Sequence, residues 1–169
     1  MAEADETRLA HLIGAKGDTA DLVLVDTAGF GNRAATVAMT SADAVLVPSL
    51  VGEADVTEAE RTVSLVAALE RAARREIRTR VLLNRVKRTT LARHALTEMN
   101  AAGLPRLEAT LSDLVAFGEL TYTGKLDPKG QAAGEVAVLV EELRGLGWIT
   151  ATSSPRNAVV AERRKDVTV

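Results

Sequence analysis

The chain has no cysteine, which excludes disulfides, thiolate metal sites and cysteine nucleophiles. Aromatic residues are nearly as scarce. Phe30, Phe117, Tyr122 and Trp148 are the whole set, so alanine, valine and leucine must fill the core, and stacking of single-stranded bases on aromatic platforms is disfavoured. The only histidines, His11 and His94, lie too far apart in sequence to build a zinc pattern. Neither sign of charge dominates. A formal net charge of -2 rules out a strong global field for polyanions, so any DNA affinity must be local. No window approaches the roughly eighteen apolar residues of a membrane span, and the acidic start "MAEADETRLAHLIG" is unlike a signal peptide. A cytoplasmic protein without a membrane segment is expected.

What is present is the composition of a globular domain. An apolar fraction of 47% over 169 residues suffices for one domain with a real core and is short for two. Four short runs rich in branched aliphatics read as strands: "LVLVDT" at 22–27, "AVLVPS" at 44–49, "RVLLNR" at 80–85 and "RLEATL" at 106–111. The first three are apolar on consecutive positions, as in strands of a parallel sheet covered on both faces. Helical periodicity marks 4–13, closed by Gly14, and 57–75, where Thr57 and Glu60 have capping-box spacing and Ala59, Val63, Val66 and Ala67 share a face. It also marks 90–102, with Leu91, Ala95, Met99 and Ala102 on one face before a Gly103 and Pro105 stop, and 131–146, with Val136, Leu139, Val140 and Leu143 inward. Strand and helix in alternation predict right-handed βαβ crossovers, hence an α/β, doubly wound, mostly parallel sheet with helices on both faces. Residues 1–148 form the expected domain, and the polar segment 149–169 reads as a flexible tail.

Ligands of open α/β sheets bind beyond the carboxyl ends of the strands. Those ends carry Asp26-Thr27-Ala28-Gly29, Pro48-Ser49, Asn84-Arg85 and Ser112-Asp113. An aspartate ending a buried aliphatic strand needs a partner or a cation, because burial disfavours its ionised form. Nucleotide hydrolases use such a residue on the magnesium side; alternatively, Asp26 caps a helix starting at Thr27.

Taken in order, "DLVLVDTAGFGN", "ADAVLVPSLVGEADVTEA", "RVLLNRVKRTT" and "ATLSDLVAFGELTYTG" resemble the Walker B to C-terminal portion of the ParA/MinD family of deviant Walker ATPases, over 21–148. The similarity is greatest to plasmid-partition and transfer-associated members. The resemblance implies a P-loop NTPase-like fold and ATP with Mg2+ as family ligands. It implies Asp26 as the metal-side catalytic aspartate, and Thr27 and Gly29 at the start of the segment that senses the terminal phosphate. It implies Asn84 on the adenine edge, with the loop at Ser112 and Asp113 closing over the base. An asparagine both donates and accepts, as reading adenine requires; its other reading is a residue satisfying a strand-end turn.

The chain departs from the family in one respect: it carries no KGGxGKT loop. The segment "GAKGDT" at 14–19 has suggestive residues but no strand before it and no helix after it, and glycine loops cradle phosphate only with a helix N-terminus behind them. The family's sheet places the phosphate-loop strand between the 22–27 and 44–49 strands, so a gap or a new pairing is expected there, and an unpaired apolar strand invites aggregation. The expectation is a ParA-like protein of plasmid or chromosome partitioning or DNA transfer, truncated at its N-terminus and without meaningful ATP hydrolysis, since phosphoryl transfer needs the clamping those amides and lysines supply. The alternative is a non-catalytic DNA- or partner-binding remnant of the same fold. An unrelated Rossmann-like enzyme ranks last, since no GxGxxG follows a first strand. Between Arg71 and Arg93 nine basic residues face Glu76 alone. Given the family's non-specific DNA binding, Lys87, Arg88 and Arg93 are candidates for DNA phosphate contacts; otherwise the arginines at 71, 74 and 75 merely suit a helix C-terminus. Expected partners are a second copy or a complete homologue, DNA, and a DNA-bound adaptor protein.

Overall fold

A computed structural model describes residues 2–27, 32–87 and 89–149. In chain order the elements are α1 (Ala2–Gly17), α2 (Arg33–Ser41), β1 (Ala44–Ser49), α3 (Glu53–Ala73), β2 (Arg78–Val86), α4 (Thr90–Ala101), β3 (Arg106–Ser112), α5 (Val115–Thr123) and α6 (Gln131–Gly145). The strands form one parallel sheet in the order β1-β2-β3, and α3 and α4 make the crossovers. The expected α/β class is therefore observed.

The core explains the pattern of the sequence. Val81, Leu82 and Leu83 are all buried. Because successive strand residues point to opposite faces, both sides of β2 must be covered. On one face Val47, Val81 and Leu83 pack with Val56 and Ala59 of α3 and Ala95 and Met99 of α4. Much of the core is alanine, including Ala35, Ala38, Ala92, Ala109 and Ala132, so the elements approach closely where larger side chains are scarce. Pro48, which lacks a backbone donor, is tolerated because β1 is an edge strand among the described residues.

Several expectations need correction. Residues 22–27 do not form a strand: the run has no ladder partner among the described residues, and Leu22, Leu24 and Val25 are 47%, 83% and 39% exposed. The resemblance places another strand between this run and β1, and none of the described residues occupies that position, so the run has no ladder to join. Helix α1 continues through Gly14 to Gly17, and the "GAKGDT" segment is thus partly helical. Helix α3 starts four residues before Thr57, with Gly52 as its N-cap, so the Thr57 and Glu60 spacing is interior and caps nothing. On α4 the buried stripe is Ala92, Ala95 and Met99, while Leu91 is 53% exposed. The Gly103 stop holds: its φ of 64° lets the Leu104 N–H reach the Met99 carbonyl at 3.0 Å. Helices α2 and α5 had no counterpart in the sequence reading. The 149–169 tail lies outside the described residues except for Ile149.

Candidate functional site

At the carboxyl ends of β2 and β3 a cavity of about 700 Å³ opens, walled by Asn84, Ser112, Asp113, Phe117, Gly118 and Tyr122 among others. Three residues singled out from the sequence, Asn84, Ser112 and Asp113, thus converge on one space, although 28 positions separate Asn84 from Ser112. Helix α5 closes the far side, supplying two of the four aromatic residues, and its Tyr122 is 92% exposed. Because α5 follows β3 after only two residues, the chain turns back over the strand ends and its apolar residues become a wall.

Local backbone geometry sets the side chains. Asn84 is half-buried near the end of β2, and its Oδ1 accepts the Arg85 N–H at 2.9 Å. The strand-end reading of Asn84 therefore holds in part, while its Nδ2 donates to no partner among the described residues. Arg85 has φ of 52°, a left-handed conformation inside a strand, where the β2–β3 register also shifts. Such bulges re-aim side chains beside functional sites. Here the bulge accompanies an Arg85 Nε at 3.1 Å from Asp113 Oδ1, and Lys87 Nζ lies 3.1 Å from Asp113 Oδ2. Hydrogen bonds from Arg85, then from Lys87, hold the Asp113 carboxyl below its ordinary range, against a smaller effect of burial.

Ser112 is anchored from behind. Its N–H and Oγ both donate to the Glu135 carboxylate of α6, at 2.7 Å each, and Gln131 Nε2 donates to the same group at 2.9 Å. Burial works against ionisation of Glu135, but the three hydrogen bonds outweigh it and set its carboxyl below the ordinary range. Glu142, two turns on, accepts the N–H groups of Glu108 and Ala109 at 2.8 and 2.7 Å. Two carboxylates of one helix thus satisfy the outer edge of β3 and fix the loop that lines the cavity. No motif signals these contacts; the only clue is that "GEVAVLVEE" puts glutamates where an amphipathic helix facing a strand edge would carry them.

Other candidate residues lie elsewhere. Asp26 and Thr27 are exposed on the unpaired run, outside the cavity lining, and Asp26 has no hydrogen-bond or ion-pair partner among the described residues. The cap of α2 is Asn32, which accepts the Ala34 N–H at 2.9 Å; residues 28–31, where a helix capped by Asp26 was the alternative, lie outside the described residues. Gly29 and Arg88 lie outside the described residues. Arg93 is exposed on α4, with Nη2 on Thr90 Oγ1 at 3.4 Å. A group of three or more acidic or histidine side chains able to hold a metal does not occur among the described residues.

The basic stretch is not one patch. Nine-residue β2 spans on the order of 30 Å, so Arg71, Arg74, Arg75 and Arg78 lie at its amino end while Arg85 and Lys87 lie at the other. Arg75 is spent on carbonyls, with Nη2 donating to Ala42 O at 2.7 Å and also to Thr40 O. Arg78 stacks on Trp148, 5.9 Å from the ring centroid, and donates to the Gly147 carbonyl at 3.2 Å. These two arginines line or flank a second cavity, of about 370 Å³, between the amino end of β2 and the end of α6.

A parallel sheet flanked by helices, with a cavity past its strand ends and an asparagine, a serine and an aspartate on its rim, defines a doubly wound α/β protein of P-loop NTPase-like, partial form. The sequence model of a family described as "VirC1 protein" matches residues 8–141, and the chain belongs to that family. The family is ParA-like and associated with plasmid and T-DNA transfer, so the ParA/MinD resemblance is upheld and the role is a partitioning- or transfer-related one. No curated protein matches the chain. Among the described residues no helix is long and apolar enough to cross a membrane.

Proposed function

We propose that the cavity between β2, β3 and α5 is the base-binding half of a ParA-type nucleotide site, and that this chain binds adenine nucleotides weakly without turning them over. The observation that carries the proposal is the convergence of Asn84, Ser112 and Asp113 on one aromatic-walled space at the strand ends. The free Nδ2 of Asn84 can donate to a ring nitrogen, Phe117 and Leu114 offer apolar surface for a base, and Ser112 is held rigid by Glu135. ATP and magnesium would bring charge that the rim can meet only in part. Arg85 lines the cavity and Lys87 stands beside it, but both are already paired with Asp113, and Asp26 lies outside the lining. With no KGGxGKT segment in the sequence, charge developing during phosphoryl transfer has no lysine and amide clamp.

The test is nucleotide binding and turnover by the purified chain. ATP should bind with a dissociation constant on the order of 0.1–1 mM, about -4 to -5.5 kcal/mol, and Asn84→Ala should weaken it about tenfold with no phosphate release in either protein. ATP hydrolysis abolished by Asp26→Ala would overturn the non-catalytic part; equal binding by wild type and Asn84→Ala would overturn the site.

A second reading, non-specific DNA binding in the course of transfer or partitioning, draws on Lys87, Arg88 and Arg93 as phosphate contacts. It is favoured by the exposure of Lys87 and Arg93 on the same side of the molecule as the carboxyl end of β2. A DNA affinity that falls steeply with salt and is lost in Lys87→Ala/Arg88→Ala would support it, and absence of binding at low salt would exclude it. A complete homologue or a DNA-bound adaptor as partner fits the same role.

A further inference from the structure

The second cavity, of about 370 Å³, lies at the amino end of β2, the opposite end of that strand from the nucleotide site. Three elements bring side chains to it. On α3, Val63, Ala67 and Glu70 recur at helical spacing, so one face of that helix forms a wall. On β2, Arg78 and Arg80 alternate with Thr79 and therefore project to one side of the strand. Helix α6 contributes through its ending, which is a Schellman turn. Gly147, at φ of 70°, donates its N–H to the Arg144 carbonyl, and Trp148 donates its own to the Leu143 carbonyl, each at 2.9 Å. That turn sets the indole in the cavity wall, with Arg78 over its ring.

The charges around this space have no partners of opposite sign. Arg78 donates only to the Asp43 and Gly147 carbonyls and Arg80 only to the Thr79 carbonyl, although both are half-buried. Neither joins an ion pair among the described residues, and neither do Glu70 and Glu76, which line the same cavity. A ligand that satisfies both signs must therefore carry opposite charges of its own, some distance apart. A polyphosphate is disfavoured, because the two glutamates repel it, and a free α-amino acid holds both charges on one carbon. A dipeptide separates them by a peptide unit, about 3.8 Å between α-carbons, and the cavity is near the lower end of the roughly 300–1,000 Å³ of small-molecule sites. We propose that this cavity binds a short apolar peptide with free ends, of dipeptide size. Its carboxylate meets Arg78 and Arg80, its ammonium meets Glu70 and Glu76, and its side chains lie against Trp148, Leu146 and Val63. The inference is independent of the nucleotide site, which lies beyond the other end of β2.

Trp148 is the only tryptophan, so its selectively excited fluorescence reports on the cavity directly. The whole chain is titrated with leucyl-phenylalanine, and a saturable change is expected with a dissociation constant on the order of 0.1–1 mM. Two blocked ligands test the charges without altering the protein: the carboxyl-amidated and the N-acetylated dipeptide should each bind about tenfold more weakly. Arg80→Gln should weaken the free dipeptide about tenfold and leave the amidated one unchanged, since the amide has already lost the charge that Arg80 meets. Saturating ATP should not displace the peptide. No fluorescence change at millimolar peptide would overturn the proposal. So would equal binding of the free and blocked dipeptides, or displacement of the peptide by ATP.

Discussion

Arg85 shows how a single backbone angle builds the site. A non-glycine residue at φ of 52° carries a cost of about 1–2 kcal/mol, and its solvent-screened ion pair with Asp113 offsets little of it. Removing the side chain and removing the strain can be separated. Arg85→Ala loses the ion pair and keeps the strain, whereas Arg85→Gly loses both, so the glycine variant should be the more stable by about 1 kcal/mol in urea unfolding. Equal stabilities would mean that the bulge is relaxed. This feature could not be read from the sequence: "VLLNRV" looks like an uninterrupted strand, and nothing in the residue types marks the fifth of them as left-handed.

Glu135 is the residue on which the rim depends. Its carboxylate accepts three hydrogen bonds, two of them from Ser112, and hydrogen bonds to a charged group are worth about 1.5–3 kcal/mol. Glu135→Ala should therefore cost about 1–3 kcal/mol and loosen the Ser112 loop, while Glu135→Gln, which keeps an acceptor, should cost less. Because its folded-state pKa is depressed, its stabilising contribution is complete above the ordinary carboxylate range and is lost as pH falls through that range toward the folded value. Trp148, the only tryptophan, follows directly after α6 and sits under Arg78. Its fluorescence should change as acid releases α6, with the midpoint moved to higher pH or the change lost in Glu135→Ala.

At the scale of elements, legibility followed the range of the contacts. The strands β1, β2 and β3 and the helices α3, α4 and α6 were visible because periodicity and apolar runs are local signals. The start of α3 was missed because Gly52, a weak cap, stands in place of the Thr57 motif, and tertiary packing of Val56 draws the helix forward. Helix α5 was missed because "VAFGELTYT" is apolar without a clean stripe, as suits a helix that walls a cavity and buries no residue fully. The edge-closing role of α6 joins residues 23 to 34 positions apart, which no local pattern encodes. Arg75 is the opposite case: it was read as a helix-end cation, but its guanidinium ties α3 to the carbonyls that end α2. Arg75→Ala leaves those carbonyls unpaired, and a loss of about 1–3 kcal/mol is expected in thermal or urea unfolding. An unchanged stability would show that water replaces the arginine without loss.

For the whole molecule, the sheet is asymmetric. The β3 edge is finished by the carboxylates of α6, while along the β1 edge no strand pairs among the described residues. The expectation of a gap next to β1 came from the resemblance and not from periodicity, which wrongly placed a strand at 22–27. The candidate site was legible in the same divided way. The rule that ligands sit past strand ends selected Asn84, Ser112 and Asp113, and the fold brings them together; the same rule selected Asp26, which the fold leaves apart because its run never joins the sheet. Partitioning or transfer thus rests on family membership, while the chemistry rests on the cavity.

That cavity can be tested atom by atom by titrating ATP into the isotope-labelled chain and following amide resonances. The account predicts saturable shifts at the Asn84 side-chain amide and at Ser112, Asp113 and Gly118, with little change around Ile77, Arg78 and Trp148. Shifts centred on the Trp148 cavity, or none at millimolar ATP, would contradict it.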